Sequence, residues 1–305
     1  MKPDLSVKMF GVTFNNPVMG ASGTVGYGTE LAPYVDLNHI GAVVTKGISI
    51  EPRQGNAPPR LFETASGLLN SIGVQNIGSR RFIDEALPEL MKYDTRVIVN
   101  IYGETPDEYR RVAEAFGGVS GVDALEVNLS CPNVDKGGIA FGTDPALIQT
   151  IVSAVKEASG KPIIAKLTPN VTDIGPPARA AQDAGADAIS LINTLMGMAV
   201  DIRTRRPFFR NVRAGLSGPA IKPVALRLVW EAARSVTIPV IGLGGIMTGQ
   251  DAVEFIMAGA RAVQVGTANF VDPGAMSSIV SGIRTFMEEN GIERLEDIRG
   301  SIERG

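Results

Sequence analysis

Short apolar runs recur along the chain. Each is rich in Val, Ile and Ala, closes on small or polar residues, and leads into a loop and an amphipathic stretch. Eight are legible: Pro17 to Gly23, Gly41 to Lys46, Arg96 to Gly103, Ala124 to Ser130, Pro162 to Thr168, Ala188 to Thr194, Pro239 to Gly245 and Ala262 to Thr267. Runs that are apolar at nearly every position predict strands covered on both faces, the habit of parallel sheets. Between them, Pro106-Asp107 and Asp144-Pro145 predict helix starts, because proline suits the first helical position, where its missing N–H costs nothing. Ser277 to Phe286 places Ile279, Val280, Ile283 and Phe286 on one helical face. Eight strand–helix units predict a closed parallel (β/α)8 TIM barrel of the α/β class, with an open doubly wound sheet as the alternative. Val7 to Phe14 predicts a small hairpin ahead of the barrel. Gly47 to Arg80 and Leu195 to Gly218 are too long for simple βα loops, and insertions of that length are commonly lids or binding elements. No repeat, low-complexity segment or linker interrupts the pattern, so a single domain over residues 1–305 is expected.

Composition narrows the class. The chain has 305 residues, 44% hydrophobic and 20% charged, enough for a large core. A formal net charge of -3 without a basic block predicts no nucleic-acid or membrane partner. No long apolar signal core opens the chain and no uncharged run approaches the ~20 residues of a membrane span, so a soluble cytoplasmic protein is the expectation. The single cysteine excludes an internal disulfide, and also an iron–sulfur cluster held by this chain's own thiolates, which needs about four. The single histidine, His39, lies in a helix-like stretch and is read as structural, which sets aside serine–histidine and zinc chemistry; no metal site is expected.

In a parallel barrel the chemistry gathers where strands end in βα loops. Reading those ends alone gives Ala21-Ser22-Gly23, Thr45-Lys46, Asn100, Asn128 with Cys131, Lys166 with Thr168, Asn193-Thr194, Gly242-Leu243-Gly244-Gly245 and Gly266-Thr267. Glycine after the last two strands suits a phosphate cradle, since backbone N–H groups can then approach an anion beside a helix N-terminus; two tight turns are the plainer reading. Gly242-x-Gly244 is not a dinucleotide fingerprint, because Met247 stands where the third glycine belongs. Lys46 and Lys166 each end an apolar run and suit a Schiff base, an anion, or charge on a flavin. Asn70, Asn100, Asn128, Asn133 and Asn193, with hardly a carboxylate among them, suit a planar ligand bearing alternating carbonyl and N–H groups. In Asn128-Leu129-Ser130-Cys131-Pro132-Asn133 a thiol stands beside amides and a hydroxyl, as a base acting on such a ligand would; a lone reduced cysteine is otherwise a small buried hydrophobe. Val134 to Thr143 carries three glycines and reads as a lid.

With these residues in hand the chain resembles the dihydroorotate dehydrogenase family (class 1). The likeness runs over essentially its whole length, through Thr45-Lys46-Gly47, Asn70 to Asn76, Asn128 to Asn133, Ala165 to Thr168, Ile192-Asn193-Thr194, Gly218 to Ile221 and the terminal glycine sites. The resemblance implies bound FMN and oxidation of dihydroorotate to orotate in pyrimidine synthesis. It implies that Ser22, Thr45, Lys46, Asn100, Asn128, Lys166, Ile192, Gly218, Gly244, Gly245, Gly266 and Thr267 hold the flavin. Lys46, Asn70, Ser71, Ile72, Gly73, Val74, Asn128, Asn133, Asn193 and Thr194 would hold the substrate, with Cys131 as base and Lys46 also counted as catalytic. The Gly-Gly-x-Ala-Phe-Gly-Thr-Asp-Pro run is similar to the NAD-linked class (1B), which implies a separate FAD and [2Fe-2S] subunit and an assembly of a homodimeric core with two such partners. The arginines at 203, 205, 206, 210 and 213 would dock that partner or simply be a solvated loop. The rivals are a fumarate-linked homodimer, a dihydropyrimidine dehydrogenase-like subunit (which typically has histidine where Asn133 stands), a Schiff-base lyase or aldolase, and a bare binding protein.

Overall fold

The computed structural model describes residues 3–129 and 141–303. Eight parallel strands close a barrel: β1 (Val18–Gly20), β2 (Ala42–Val44), β3 (Arg96–Ile101), β4 (Ala124–Asn128), β5 (Ile163–Lys166), β6 (Ala188–Leu191), β7 (Val240–Leu243) and β8 (Ala262–Val265). Each pairs with the next, and β8 returns to β1 with Val263 opposite Val18. Every residue of β1, β2, β5, β6, β7 and β8 is buried, the reason these segments read as unbroken apolar runs. The eight runs read from the sequence are these eight strands.

The covering helices start where local chemistry allows. Thr105 caps Pro106–Gly117 by accepting from the Glu108 N–H, and Asp144 caps Pro145–Ser159 by accepting from the Ala146 N–H. Thr248 and Asp251 form a reciprocal capping box on Gly249–Met257. Ala275–Glu289 buries Ile279 and Ile283 on the face that periodicity indicates. One strand–helix unit departs from expectation. After β1 the chain makes only the 3-10 turns Thr29–Leu31 and Leu37–His39. Left-handed backbone at Gly26 and Gly28, with Pro33 close behind, interrupts any longer helix.

At the other levels the pattern extends beyond the barrel. Val7–Met9 pairs with Val12–Phe14 as the expected hairpin, and Val7, Met9 and Phe14 join the main core. The two long insertions are strands, and they find each other. Leu195–Met198, Arg213–Ser217, Gly67–Asn70 and Leu61–Thr64 form, in that order, a four-stranded antiparallel sheet in which Gly215 lies opposite Asn70. Beneath it Leu69, Ala199, Phe209 and Ala214 make a small separate core, flanked by Phe62 and Phe208 with ring centroids 4.7 Å apart. Among the described residues no helix is long and apolar enough to cross a membrane.

Candidate active site

A cavity of about 370 Å³ opens at the end of the barrel where the strands run out, and the insertion sheet forms one of its walls. It is lined by Lys46, Lys166 and Arg213 as cations and, among the described residues, by no Asp or Glu. Such a lining suits an anionic ligand.

The deepest part is a layer of buried polar groups set in otherwise apolar strands. Glu126 of β4 is fully buried and accepts four hydrogen bonds: from Asn100 Nδ2 (2.8 Å), Lys166 Nζ (3.2 Å), Ser190 Oγ (2.8 Å) and Gln264 Nε2 (2.7 Å). Glu126, Ser190 and Gln264 come from β4, β6 and β8, the alternate strands that fill one layer of such a barrel. Burial works to raise the Glu126 pKa. The Lys166 ammonium, then the donors from Gln264, Ser190 and Asn100, outweigh it and hold the carboxyl below its ordinary range. Lys166 Nζ also donates to Ser22 Oγ (2.9 Å), which ties β5 to the loop after β1. Asn100 Oδ1 and Gln264 Oε1 are buried and have no partner among the described residues. Both residues line the cavity, so both carbonyls suit N–H groups of a ligand. Nearer the mouth, burial pushes the Lys46 ammonium below its ordinary pKa; Glu30 opposes the shift and Arg60 adds to it.

One side of the cavity is made of carboxamides and a shaped loop. Asn193 Nδ2 donates to Asn128 Oδ1 (3.2 Å), and Asn193 Oδ1 accepts from the Thr194 N–H (2.8 Å). Asn70 reaches the same wall from the insertion sheet, its Nδ2 donating to the Gly215 carbonyl (3.3 Å). Residues 71–75 line the cavity through an unusual backbone, with the β-branched Val74 at φ 54°. Asn76 holds that turn, donating to the Val74 carbonyl (2.8 Å) and Ser49 Oγ (2.8 Å) and accepting from the Gly78 N–H (2.8 Å).

The opposite side is built from glycine. Gly244 and Gly245 have φ 131° and 73°, which L side chains rarely adopt. A Cβ on Gly245 would sit 2.8 Å from the Gly218 carbonyl oxygen and 2.9 Å from the Lys222 nitrogen, backbone on both sides. Gly218 in turn lies against Thr267, whose Oγ1 donates to Ser217 Oγ (2.8 Å). Three loops thus bring bare backbone together beside the start of Lys222–Ala233, as a phosphate requires. Bare backbone at one end and unpartnered carbonyls at the other fit a flavin mononucleotide.

Among the described residues, Ser22, Lys46, Asn100, Asn128, Lys166, Ile192, Gly218, Gly244, Gly245, Gly266 and Thr267 all line this one cavity. So do Asn70, Ser71, Ile72, Gly73, Val74, Asn193 and Thr194. Thr45 does not: it is fully buried behind the wall, where its Oγ1 accepts from the Asn100 N–H (3.2 Å). Cys131 and Asn133 lie outside the described residues, as do positions 134–140 of the lid expected over 134–143, whose last three residues, Phe141–Thr143, form a 3-10 turn. Glu126, Ser190 and Gln264 escape a reading of strand ends because each lies one or two positions short of its strand's end. Their signal is a polar residue inside an apolar run, as in Ala124-Leu125-Glu126-Val127. Arg203, Arg205, Arg206 and Arg210 are exposed on the second insertion, while Arg213 reaches the cavity.

Residues 4–287 match the family model described as dihydroorotate dehydrogenase. A relative from Geotalea uraniireducens, named dihydroorotate dehydrogenase B (NAD(+)), catalytic subunit, is 57% identical over 301 residues, 99% of either chain. A relative of the same name from Pelobacter propionicus is 54% identical over 303 residues, covering 99% of this chain and 100% of its own. Among solved structures, the dihydroorotate dehydrogenase of Eimeria tenella in complex with ferulenol superposes with a TM-score of 0.82. That match covers 98% of this chain and 88% of the other at 23% identity, a likeness of fold.

Proposed function

The chain belongs to the dihydroorotate dehydrogenase family, and from that premise we propose that its cavity holds FMN and oxidises dihydroorotate to orotate in pyrimidine synthesis. It acts as the catalytic subunit of an NAD-linked enzyme. One observation carries this reading: four asparagines and two lysines from separate strands and insertions converge on a cavity that, among the described residues, no carboxylate lines and that ends in a glycine cradle. Carboxamides offer paired donors and acceptors to a ring of alternating carbonyl and N–H groups, and lysine offers charge to its carboxylate.

When bound, the flavin supplies the hydride acceptor. This chain supplies the rest. Asn70, Asn128 and Asn193 orient the ring, and Lys46 meets the carboxylate. Ser22, Asn100, Lys166 and the glycines at 218, 244, 245 and 266 hold the cofactor, with Thr45 acting through Asn100. Cys131, three positions after Asn128 of the cavity wall in sequence, accepts the proton released from the neighbouring substrate carbon. Lys166 is engaged by Glu126 and Ser22, which argues against a Schiff-base lyase.

With one cysteine and no dinucleotide fingerprint, the chain passes its electrons to a separate FAD and [2Fe-2S] subunit, in a cytoplasmic assembly of two catalytic and two electron-transfer chains. Anaerobic titration tests this. The purified protein should be yellow, bleach with dihydroorotate and not with dihydrouracil, and regain colour with NAD only beside a co-expressed reductase subunit. Fast direct reoxidation by fumarate would replace the NAD-linked assignment with the fumarate-linked one. Colourless protein with no affinity for FMN would sink the flavin reading.

A further inference from the structure

Glu126 itself has no role in the reaction outlined above, yet it sits directly under the cavity, bonded to residues that line it. All four of its neighbours, Asn100, Lys166, Ser190 and Gln264, donate to the carboxylate, and one of them is a cation. Four donors, one of them charged, favour the anionic form of Glu126, which lies 3.2 Å from the buried Lys166 ammonium. Two consequences follow from simple electrostatics. The positive charge that Lys166 presents to the cavity is opposed by a fixed negative charge in a buried site, where charges act strongly on one another. The amide groups of Asn100 and Gln264 also have their NH2 ends turned to Glu126, so their carbonyl oxygens remain for the ligand.

We propose that Glu126 is a positioning and charge-balancing residue: it offsets Lys166 and orients the Asn100 and Gln264 carbonyls, so that the bound flavin is harder to reduce than an unopposed lysine would make it. The inference rests on the FMN reading. A purely structural carboxylate would fill the barrel and satisfy its neighbours without affecting the balance between oxidised and reduced cofactor.

The midpoint potential of the bound flavin decides between these, measured on the flavin-loaded protein by dye-coupled titration. Glu126→Gln keeps the shape and removes the charge. It should raise the preference for reduced over oxidised FMN at least tenfold, about 30 mV for a two-electron couple. Lys166→Met should lower it. The double variant Glu126→Gln/Lys166→Met carries no unopposed charge and should return to within about tenfold of the parent. Ser190→Ala removes a neutral donor from the same carboxylate and should move the potential far less than Glu126→Gln. A Glu126→Gln potential equal to or below the parent's overturns the inference, as does a double variant that falls as far as Lys166→Met. Should Glu126→Gln alone fail to fold, the double variant and Lys166→Met still decide it. Parent protein that binds no flavin would overturn the cofactor reading together with this inference, whereas flavin-loaded protein indifferent to Glu126 overturns the inference alone.

Discussion

Asn193 and Asn128 stand 65 positions apart in sequence, and the amide nitrogen of the first donates to the amide oxygen of the second across 3.2 Å. The contact joins the loop after β6 to the end of β4 and fixes which face each carboxamide turns to the cavity. Truncating Asn193 to alanine removes the contact proposed for it with substrate and leaves Asn128 Oδ1 without this donor. Losses of that kind cost ~1–3 kcal/mol, or roughly 5- to 150-fold in rate terms. Asn193→Ala should therefore lower kcat/KM for dihydroorotate within that range while the flavin spectrum is retained, which steady-state kinetics and absorbance will show.

Lys46 gives a pH-dependent stability signature. Partial burial holds its folded-state pKa below the ordinary 10.5, so the half-buried ammonium destabilises the fold while it stays protonated. Between the lowered value and 10.5 the unfolded chain binds a proton that the folded chain does not, and stability from this group rises with pH. Lys46→Met should raise the ligand-free melting temperature at neutral pH. The gain should shrink as pH climbs from the lowered value towards the ordinary 10.5 and level off above it. Differential scanning calorimetry across that window checks it, and a gain that grows with pH would contradict the assignment.

Gly245 should tolerate no side chain. A methyl group there meets backbone from Gly218 and Lys222, on a chain held at φ 73°. Backbone strain of this sort costs ~1–3 kcal/mol. Gly245→Ala should lose stability in that range and purify with much less FMN, read from the ratio of flavin to protein absorbance. Full occupancy would place the phosphate elsewhere.

For Cys131 the test is kinetic. An ordinary thiol ionises near ~8.5, so only a small fraction is basic at neutral pH. The rate of flavin bleaching by dihydroorotate should rise as pH approaches that value. In Cys131→Ala it should nearly vanish at neutral pH while FMN stays bound. Stopped-flow reduction at several pH values measures both.

The barrel could be read from the chain because its strands are local: each is a contiguous apolar run, and burial on both faces writes itself into every position. Gly244, Gly245 and Gly266, with Asn100, Asn128 and Asn193, were legible for the same reason, being attached to those strand ends, whereas Asn70 comes from the insertion sheet. The first strand–helix unit was misjudged because Gly26, Gly28 and Pro33 break a helix that barrel rhythm alone supplies. The insertion sheet was invisible as a sheet. Gly67–Asn70 and Arg213–Ser217 are separated by more than a hundred residues, and neither carries a pattern that names its partner. Glu126 was overlooked because one charged residue in an apolar run looks like tolerance until Lys166, Ser190, Gln264 and Asn100 are seen around it.

The shared sheet also constrains anyone who would redesign substrate choice. Gly67–Asn70 completes its pairing on Arg213–Ser217, so a loop grafted after β2 without its counterpart after β6 would arrive with a bare edge and half a core. The two segments make up a single exchangeable cassette, to be swapped together or left alone.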